Sequence, residues 1–487
     1  MIKYICFISL ILLFMVNCGG ESKIITTTLP DVTPTSVREN SEDSSFGIFT
    51  AYSAHEFTYF TNTAGFSRED YWNWTDKHFQ NLGAHWTRSN LQLIWDFIEP
   101  DIGKGYNWNN IMLTDDIIKH IYTSPAGVNW LGVFAEGGSV NPPGRMRRKD
   151  RPPLRNPLDY PEEYKNFVKT VVERYDGDGI NDAAHGVKVK YWQAGNEIFI
   201  WQNSGRSVED YKKFVRLIRE GAKKADSEAK IVLIAPTDGF TASPFLLQVM
   251  KDLASEKAFD AIDVHHWGRS DNWKMPAVTE YRKTLDSYGL KDVQIWSCEH
   301  GTWQGQPSGQ PCQSEEEQAS SLIKRYVYNL NNGLDKLFWN NLTEWYQFMG
   351  DPGSIFNSMG LITDGQGPGE EPARFNTERI SYQVYKNLSK KIDRGVAVKL
   401  GRTVGIYSQG QVYSYDYETI NSKKRFSIVW SEKDTEEVTL PVIVPSVHVS
   451  NMITDRKGNI LEEYDIKSGN GKVTVKTKKE PLLVEYY

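Results

Sequence analysis

A chain of 487 residues exceeds what one hydrophobic core organises comfortably, so one large domain and at least one smaller one are expected. Its 62 acidic residues against 56 basic ones leave a formal charge of -6, which offers no general attraction to phosphate backbones and argues against a nucleic-acid partner. Fifteen tryptophans are a heavy aromatic load; packing accounts for most, yet flat amphipathic rings also suit sugar faces, so the composition leans towards a carbohydrate ligand.

The chain opens like an export signal over residues 1–18. Lys3 supplies the positive end, and Cys6 to Val16 form an apolar stretch too short to span a bilayer comfortably. The segment Met15-Val16-Asn17-Cys18-Gly19 resembles a bacterial lipoprotein lipobox, although Asn17 departs from the small residue usual there. The resemblance implies an acylated Cys18, with the membrane reached only through that lipid, at the outer membrane or cell surface. Without acylation the product is secreted or periplasmic. Residues 19–45 are rich in Ser, Thr, Asp, Glu and Pro and bury little, so they are expected to form a flexible tether with a mean reach of roughly 30 Å. Beyond them only Cys298 and Cys312 remain, either as two thiols or as a pair whose bridge would contribute up to roughly 3 kcal/mol.

From Phe46 onward, short apolar runs alternate with amphipathic segments, the pattern of parallel strands joined by helical crossovers. Strand candidates begin at Phe46, His85, Val128, Val187, Lys230, Ala261, Val293 and Leu334. Eight such pairs predict an α/β chain closed into a (β/α)8 TIM barrel over residues 46–393. Helical stripes run through Tyr164, Phe167, Val168, Val171 and Val172, and through Tyr211, Phe214, Val215 and Ile218. Ser207 with Asp210 makes a capping pair, and Pro161 suits a first helical turn. After Asp393 the texture changes to short alternating segments such as Thr403 to Ser408, Gln411 to Tyr417, Arg425 to Trp430 and Lys472 to Lys476. A C-terminal all-β sandwich is expected over residues 394–487.

In such a barrel, chemistry gathers where strands end at their carboxyl side. Glu197 closes the fourth strand in Tyr191-Trp192-Gln193-Ala194-Gly195-Asn196-Glu197, and Glu299 closes the seventh in Ile295-Trp296-Ser297-Cys298-Glu299-His300-Gly301. Asn-Glu ending strand four and Glu ending strand seven resemble the clan-A glycoside hydrolases, which include cellulase-like, β-xylosidase-like and arabinofuranosidase-like families. The resemblance spans nearly everything beyond the tether. It implies hydrolysis of β-linked sugars in an oligo- or polysaccharide with retention, Glu197 acting as acid/base and Glu299 as nucleophile, with no cofactor. Two carboxylates are needed because one must protonate the departing oxygen while the other attacks the anomeric carbon. A gap of about 5 to 5.5 Å between them means retention, and one above about 6.5 Å admits a water and means inversion.

Further positions match the resemblance one by one. Arg88, in Thr87-Arg88-Ser89, resembles the arginine that supports the nucleophile, and Asn196 the asparagine that bonds the sugar's 2-hydroxyl. On strand six His265 matches the clan's His-x-Tyr, while Trp267 stands where the tyrosine is expected to contact the nucleophile; an indole N–H could donate in its stead. Trp339 resembles the tryptophan platform beneath the cleaved sugar. Glu136, ending strand three, is expected to face the cleft and touch a substrate hydroxyl, whereas Glu99 reads as structural.

Arg145, Arg147, Arg148, Lys149, Arg151 and Arg155 crowd the loop after strand three, as a solvated or internally paired loop or as readers of an anionic sugar. Asp176-Gly177-Asp178-Gly179 with Asn181 and Asp182 lacks the spacing of an EF-hand and reads as a tight polar turn. A metal-dependent hydrolase would use His265, His266 and His300, but strand one carries no His-x-His and no zinc spacing occurs, so no metal is expected. The other rival is a glycan-binding lipoprotein that keeps the barrel without the reaction.

Overall fold

The structure is a computed structural model, and it describes residues 41–53, 60, 65–88, 92–110, 115–137, 154–183, 187–307, 309–344, 354–364, 376–402, 406–407, 411–433 and 436–487. Cys18, residues 19–40 of the expected tether and the basic run from Arg145 to Arg151 lie outside the described residues. Among those described, no helix is long and apolar enough to cross a membrane.

Eight parallel strands close into a barrel: β1 (Phe46–Phe49), β2 (Trp86–Arg88), β3 (Asn129–Phe134), β4 (Tyr191–Ala194), β5 (Lys230–Leu233), β6 (Ala261–Asp263), β7 (Gln294–Gly301) and β8 (Lys336–Trp339). Closure is made by β8 against β1, with Gly47 opposite Phe338. Alternate residues face opposite ways. Trp86, Leu131, Tyr191, Val232, Ala261, Trp296 and Phe338 fill the interior. Their neighbours Trp130, Trp192, Ile231, Ile262, Ile295, Leu337 and Trp339 pack outward against the helices. With both faces buried, each strand reads as a continuous apolar run. Gly47 is the exception that lets the plug close, since a Cβ there would lie 2.5 Å from the Phe338 ring.

The crossover helices form as their ends and stripes predict. Helix Val208–Ala225 starts with a capping box between Ser207 and Asp210 and buries Tyr211, Phe214, Val215 and Ile218. Helix Pro161–Arg174 carries its proline in the first turn and buries Tyr164, Phe167, Val168, Val171 and Val172.

Residues 41–45, expected within the flexible tether, are part of the fold. Ser41, Ser44 and Ser45 are buried, and Ser44 Oγ and Ser45 N–H donate to the two oxygens of Asp393 at 2.6 and 2.8 Å. Lys336 Nζ donates to the carbonyls of Glu42 and Ser44 while lying 4.5 Å from the Trp86 ring centroid. Residues 41–45 therefore belong to the barrel floor, because a buried ammonium and a buried carboxylate both depend on them for partners.

Among the described residues beyond Asp393, the regular elements are all β-strands. Ala397–Arg402, Val412–Thr419, Arg425–Ser431, Leu482–Tyr486, Ser446–Asn451 and Glu463–Lys467 form a six-stranded antiparallel sheet in that order. Ile406–Tyr407, Glu436–Pro441 and Lys472–Thr477 form a three-stranded one. Valines dominate the core between the sheets, including Val412, Val429, Val438, Val473 and Val484. The opposite face of the larger sheet, with Tyr413, Tyr415, Tyr417 and Trp430, merges into the barrel's own outer core. Cys298, inside the barrel, and Cys312, on the surface, are both free thiols.

Candidate active site

Two local irregularities aim the strand-end carboxylates. In β7, Trp296 and Cys298 face the interior, so strict alternation would turn Glu299 towards the helices. The register against β8 slips between Leu337–Ser297 and Trp339–His300. That bulge lets Glu299 turn inward directly after Cys298, a common use of bulges beside reactive sites. In β4 the irregularity is Gly195, at φ +83°, where a Cβ would meet Glu136 and Ile234 at 3.2 Å. The left-handed step is available to glycine at little cost, and it brings Asn196 as well as Glu197 to the interior side.

Glu197 and Glu299 are each 7 % exposed. One oxygen of each, together with a ring nitrogen of His265, lies within 4.8 Å of the other two. His265 Nδ1 is 2.8 Å from Glu197 Oε1 and 3.7 Å from Glu299 Oε1, and Nε2 is 3.0 Å from Asp263 Oδ2. Arg88 donates through Nη1 to Glu299 Oε1 at 2.7 Å, through Nε to Gln193 Oε1 at 2.8 Å, and through Nη2 to Asn196 Oδ1. Gln193 Nε2 donates to Asp263 Oδ2 at 2.9 Å, and the Cys298 N–H donates to Asp263 Oδ1 at 2.8 Å. The network thus runs unbroken from Arg88 through Gln193, Asp263 and His265 to Glu197.

Burial alone would lower the pKa of His265, but the charges of Glu299 and Asp263 overcome it and hold the ring up at about 10. His265 is therefore an imidazolium at neutral pH, with a proton on each nitrogen. Burial would raise Asp263, yet His265 and Arg88 hold it below the usual carboxylate range. For Glu299 burial wins: together with the charges of Glu197 and Asp263 it pushes the carboxyl up against the pull of His265 and Arg88.

The signs fix a pH window. A histidine raised above its unfolded value of 6.5 stabilises fully below that value and loses its contribution as pH rises through about 10. An aspartate held below 3.8 contributes above that value and loses it as pH falls further. The Asp263–His265 pair thus supports the fold across the neutral range between those limits. Asp263→Asn is expected to shift the His265 titration to lower pH in an NMR experiment and to cost about 3–5 kcal/mol, as breaking a buried pair does. An unmoved titration would assign the imidazolium to Glu299 alone.

Three expectations are corrected here. Trp339 is fully buried on the outer side of β8, its indole N–H donating to the Met359 carbonyl at 3.0 Å, so it forms no sugar platform. Glu136 turns away from the cleft: its Oε1 accepts the Asn196 N–H at 2.5 Å under the Gly195 turn, beside Tyr164 and Tyr211 of the helix layer. It anchors the turn that carries Glu197. Trp267 does reach the interior side, against His265 and Phe356, but its Nε1 is buried without a hydrogen-bond partner and donates nothing to Glu299.

Arg155 and Glu99 are structural neighbours. Arg155 pairs with Asp96 at 2.9 Å, lies 4.2 Å from the Trp95 ring centroid and donates to the Glu99 carbonyl. Glu99 takes the Trp95 indole N–H at 2.8 Å. Two groups of side chains have metal-compatible spacing among the described residues. In one, Glu197, His265 and Glu299 are engaged with one another and with Asp263 and Arg88. In the other, Asp176, Asp178 and Asp182 accept backbone N–H groups of Gly177, Asp178, Gly179 and Ile180, as the tight polar turn predicts.

Gln193 and Asp263 are the site residues that motif reading missed. Their signal was present: each is a polar residue at an inward position of an otherwise apolar strand, Trp192-Gln193-Ala194 and Ile262-Asp263-Val264.

No family model matches this sequence, and no curated protein matches it. Solved structures do share its fold. A glucosidase from Croceicoccus marinus is 14% identical, with 84% of this chain and 91% of that one covered at a TM-score of 0.56. AbfB, a family 51 α-L-arabinofuranosidase from Bifidobacterium longum, is 13% identical over 91% and 95% of the two chains, at 0.55. A GH30 endoxylanase from Clostridium papyrosolvens is 13% identical over 91% and 96%, at 0.52. Across almost its whole length, this chain shares with them a (β/α)8 barrel followed by an all-β unit.

Proposed function

We propose that this protein is a retaining glycoside hydrolase that cleaves β-linked bonds in an oligo- or polysaccharide by double displacement, with Glu197 as acid/base and Glu299 as nucleophile. The carrying observation is the approach of one oxygen from each carboxylate to within 4.8 Å, which agrees with the retaining spacing of about 5 to 5.5 Å and falls short of the inverting one above about 6.5 Å. In the first step protonated Glu197 gives its proton to the glycosidic oxygen as a Glu299 oxygen bonds to the anomeric carbon and the C–O bond to the leaving group breaks. In the second, Glu197 takes a proton from water, whose oxygen bonds to that carbon and releases Glu299. Arg88 holds the attacking carboxylate by a charge-assisted bond. Because Arg88 also occupies Asn196 Oδ1, the Asn196 amide is left with its Nδ2 donor for a sugar hydroxyl.

The related folds belong to a glucosidase, an arabinofuranosidase and an endoxylanase, which supports a carbohydrate substrate by analogy of fold. The rival glycan-binding reading draws on the silent indole of Trp267, but Arg88 and His265 both approach Glu299 without it. The reading extends to an exported protein anchored through lipid on Cys18, supported by Lys3, the apolar stretch to Val16 and the lipobox-like segment.

The test is a panel of aryl β-glycosides and polysaccharides, with proton NMR of the first anomer released. A β-anomer that later mutarotates is expected, and an α-anomer appearing first would sink the mechanism. The acid limb of kcat/KM is expected above the ordinary carboxylate range, because activity needs Glu299 ionised and its pKa is raised, first by burial.

A further inference from the structure

The inner wall changes character at the end of β8. Phe338 faces the interior and Trp339 the helices, so Asn340 is the next residue to turn inward. It lies one residue beyond Trp339, which pairs with Ile48, and its N–H donates to the His300 carbonyl at 2.9 Å. Asn340 is 1 % exposed, and neither its Nδ2 nor its Oδ1 has a hydrogen-bond partner. The adjacent Asn341 makes the contrast: its Oδ1 accepts from Thr50 Oγ1 and its Nδ2 donates to the Phe356 carbonyl, both at 3.0 Å.

Trp267 shares the condition of Asn340 across β7. It is the register partner of Gly301, and its buried Nε1 is unpartnered. A Cβ on Gly301 would lie 3.8 Å from the Asn340 Cβ, so the two side chains flank the residue two positions beyond Glu299. Three N–H donors, two on Asn340 Nδ2 and one on Trp267 Nε1, and the Asn340 Oδ1 acceptor are therefore buried and unspent at the strand ends on either side of Gly301, in an interior where such groups are nearly always paired. No charged side chain bonds to any of them, so their complement is neutral and carries both donors and acceptors. Adjacent hydroxyls have that chemistry.

We propose that Asn340, with Trp267, reads a vicinal pair of hydroxyls on the sugar unit held against Glu299. One hydroxyl donates to Oδ1 of Asn340 and accepts from its Nδ2, and the next accepts from Nε1 of Trp267. The proposal rests on the hydrolase reading and deepens it. With Trp339 turned outward, this wall discriminates by hydrogen bonds where a ring platform was expected, so it takes a sugar bearing both hydroxyls free and rejects the deoxy analogue.

The experiment compares wild type with Asn340→Leu on the 4-nitrophenyl β-glycoside that wild type cleaves fastest and on its monodeoxy analogues. Leucine removes an amide that bonds to nothing in the protein, so the melting temperature is expected to hold or rise. On the full substrate kcat/KM is expected to fall on the order of 100-fold, while on one monodeoxy analogue variant and wild type run alike. Unchanged kcat/KM, or an equal loss on every analogue, overturns the proposal. A sharp fall in melting temperature also overturns it, by showing that the amide serves the fold. Should Asn340→Leu fail to accumulate, Asn340→Asp keeps the shape and the acceptor but loses the donor, and the same deoxy pattern decides. Trp267→Phe is expected to lose selectivity at the neighbouring hydroxyl only. If wild type binds the glycoside without cleaving it, the hydrolase reading falls, and the ratio of Kd between wild type and Asn340→Leu decides this one separately. A panel from which nothing binds or reacts overturns both.

Discussion

Glu299→Gln is expected to lower kcat by on the order of 10⁵-fold while leaving the protein folded and able to bind its substrate. An amide oxygen has almost the shape of the carboxylate it replaces, so Arg88 Nη1 keeps an acceptor close to its present 2.7 Å distance. It has no negative charge to deliver to an anomeric carbon, and no other carboxylate of the network faces the same place: Asp263 is fully buried and takes bonds from His265, Gln193 and the Cys298 N–H. Stability is expected to move the other way. A carboxyl whose pKa is raised on folding, here first by burial, destabilises the fold once ionised, and its contribution worsens as pH climbs above the unfolded value near 4.5. A neutral isostere removes that cost at pH 7, so the melting temperature of the variant is expected to equal or exceed that of wild type. Steady-state kinetics, calorimetric binding and thermal unfolding read the three quantities. Near-normal turnover would remove Glu299 from its assigned role, whereas a collapsed melting temperature would recast it as an ion-pair strut.

How much of this was legible in the sequence depends on which physical constraint leaves a trace there. Strands buried on both faces must be apolar throughout, so the eight barrel strands announced themselves, and Glu197 and Glu299 stood out as acids ending two of them. The same property hides the facing of each residue. In Phe338-Trp339 both residues are apolar, periodicity cannot choose between them, and the tryptophan expected in the cleft packs outward while Asn340 takes the inward place. Glu136 failed for a related reason, since only the backbone path around Gly195 reveals that its carboxylate is taken by the Asn196 N–H. The bulge in β7 is a matter of register between two strands and leaves no mark on one of them. Asp263 and Gln193 belong to a third kind. Burying an acid or an amide in an apolar strand is expensive without partners, so their presence at inward positions was itself a pointer to the network that holds His265.

Replacing Glu197 by alanine is expected to separate the two steps of the reaction. On a poor leaving group, departure needs the proton that Glu197 supplies, and loss of general acid catalysis costs roughly 10²–10⁴-fold. On a dinitrophenyl glycoside the leaving group departs unaided, the first step survives, and the glycosyl-enzyme accumulates because no base draws the proton from water. Azide needs no such base: its nitrogen bonds to the anomeric carbon as the bond to Glu299 breaks, so azide is expected to restore turnover and to yield a β-glycosyl azide. A second consequence follows from electrostatics. The charge of Glu197 is one of the causes, after burial, that hold the Glu299 carboxyl up. Removing it lowers the pKa of Glu299, so the acid limb of the variant's profile is expected at lower pH than in wild type. The imidazolium of His265, deprived of its 2.8 Å partner, is left facing Glu299 at 3.7 Å and adds to the same shift. Equal losses on good and poor leaving groups, with no response to azide, would move proton delivery to some other group.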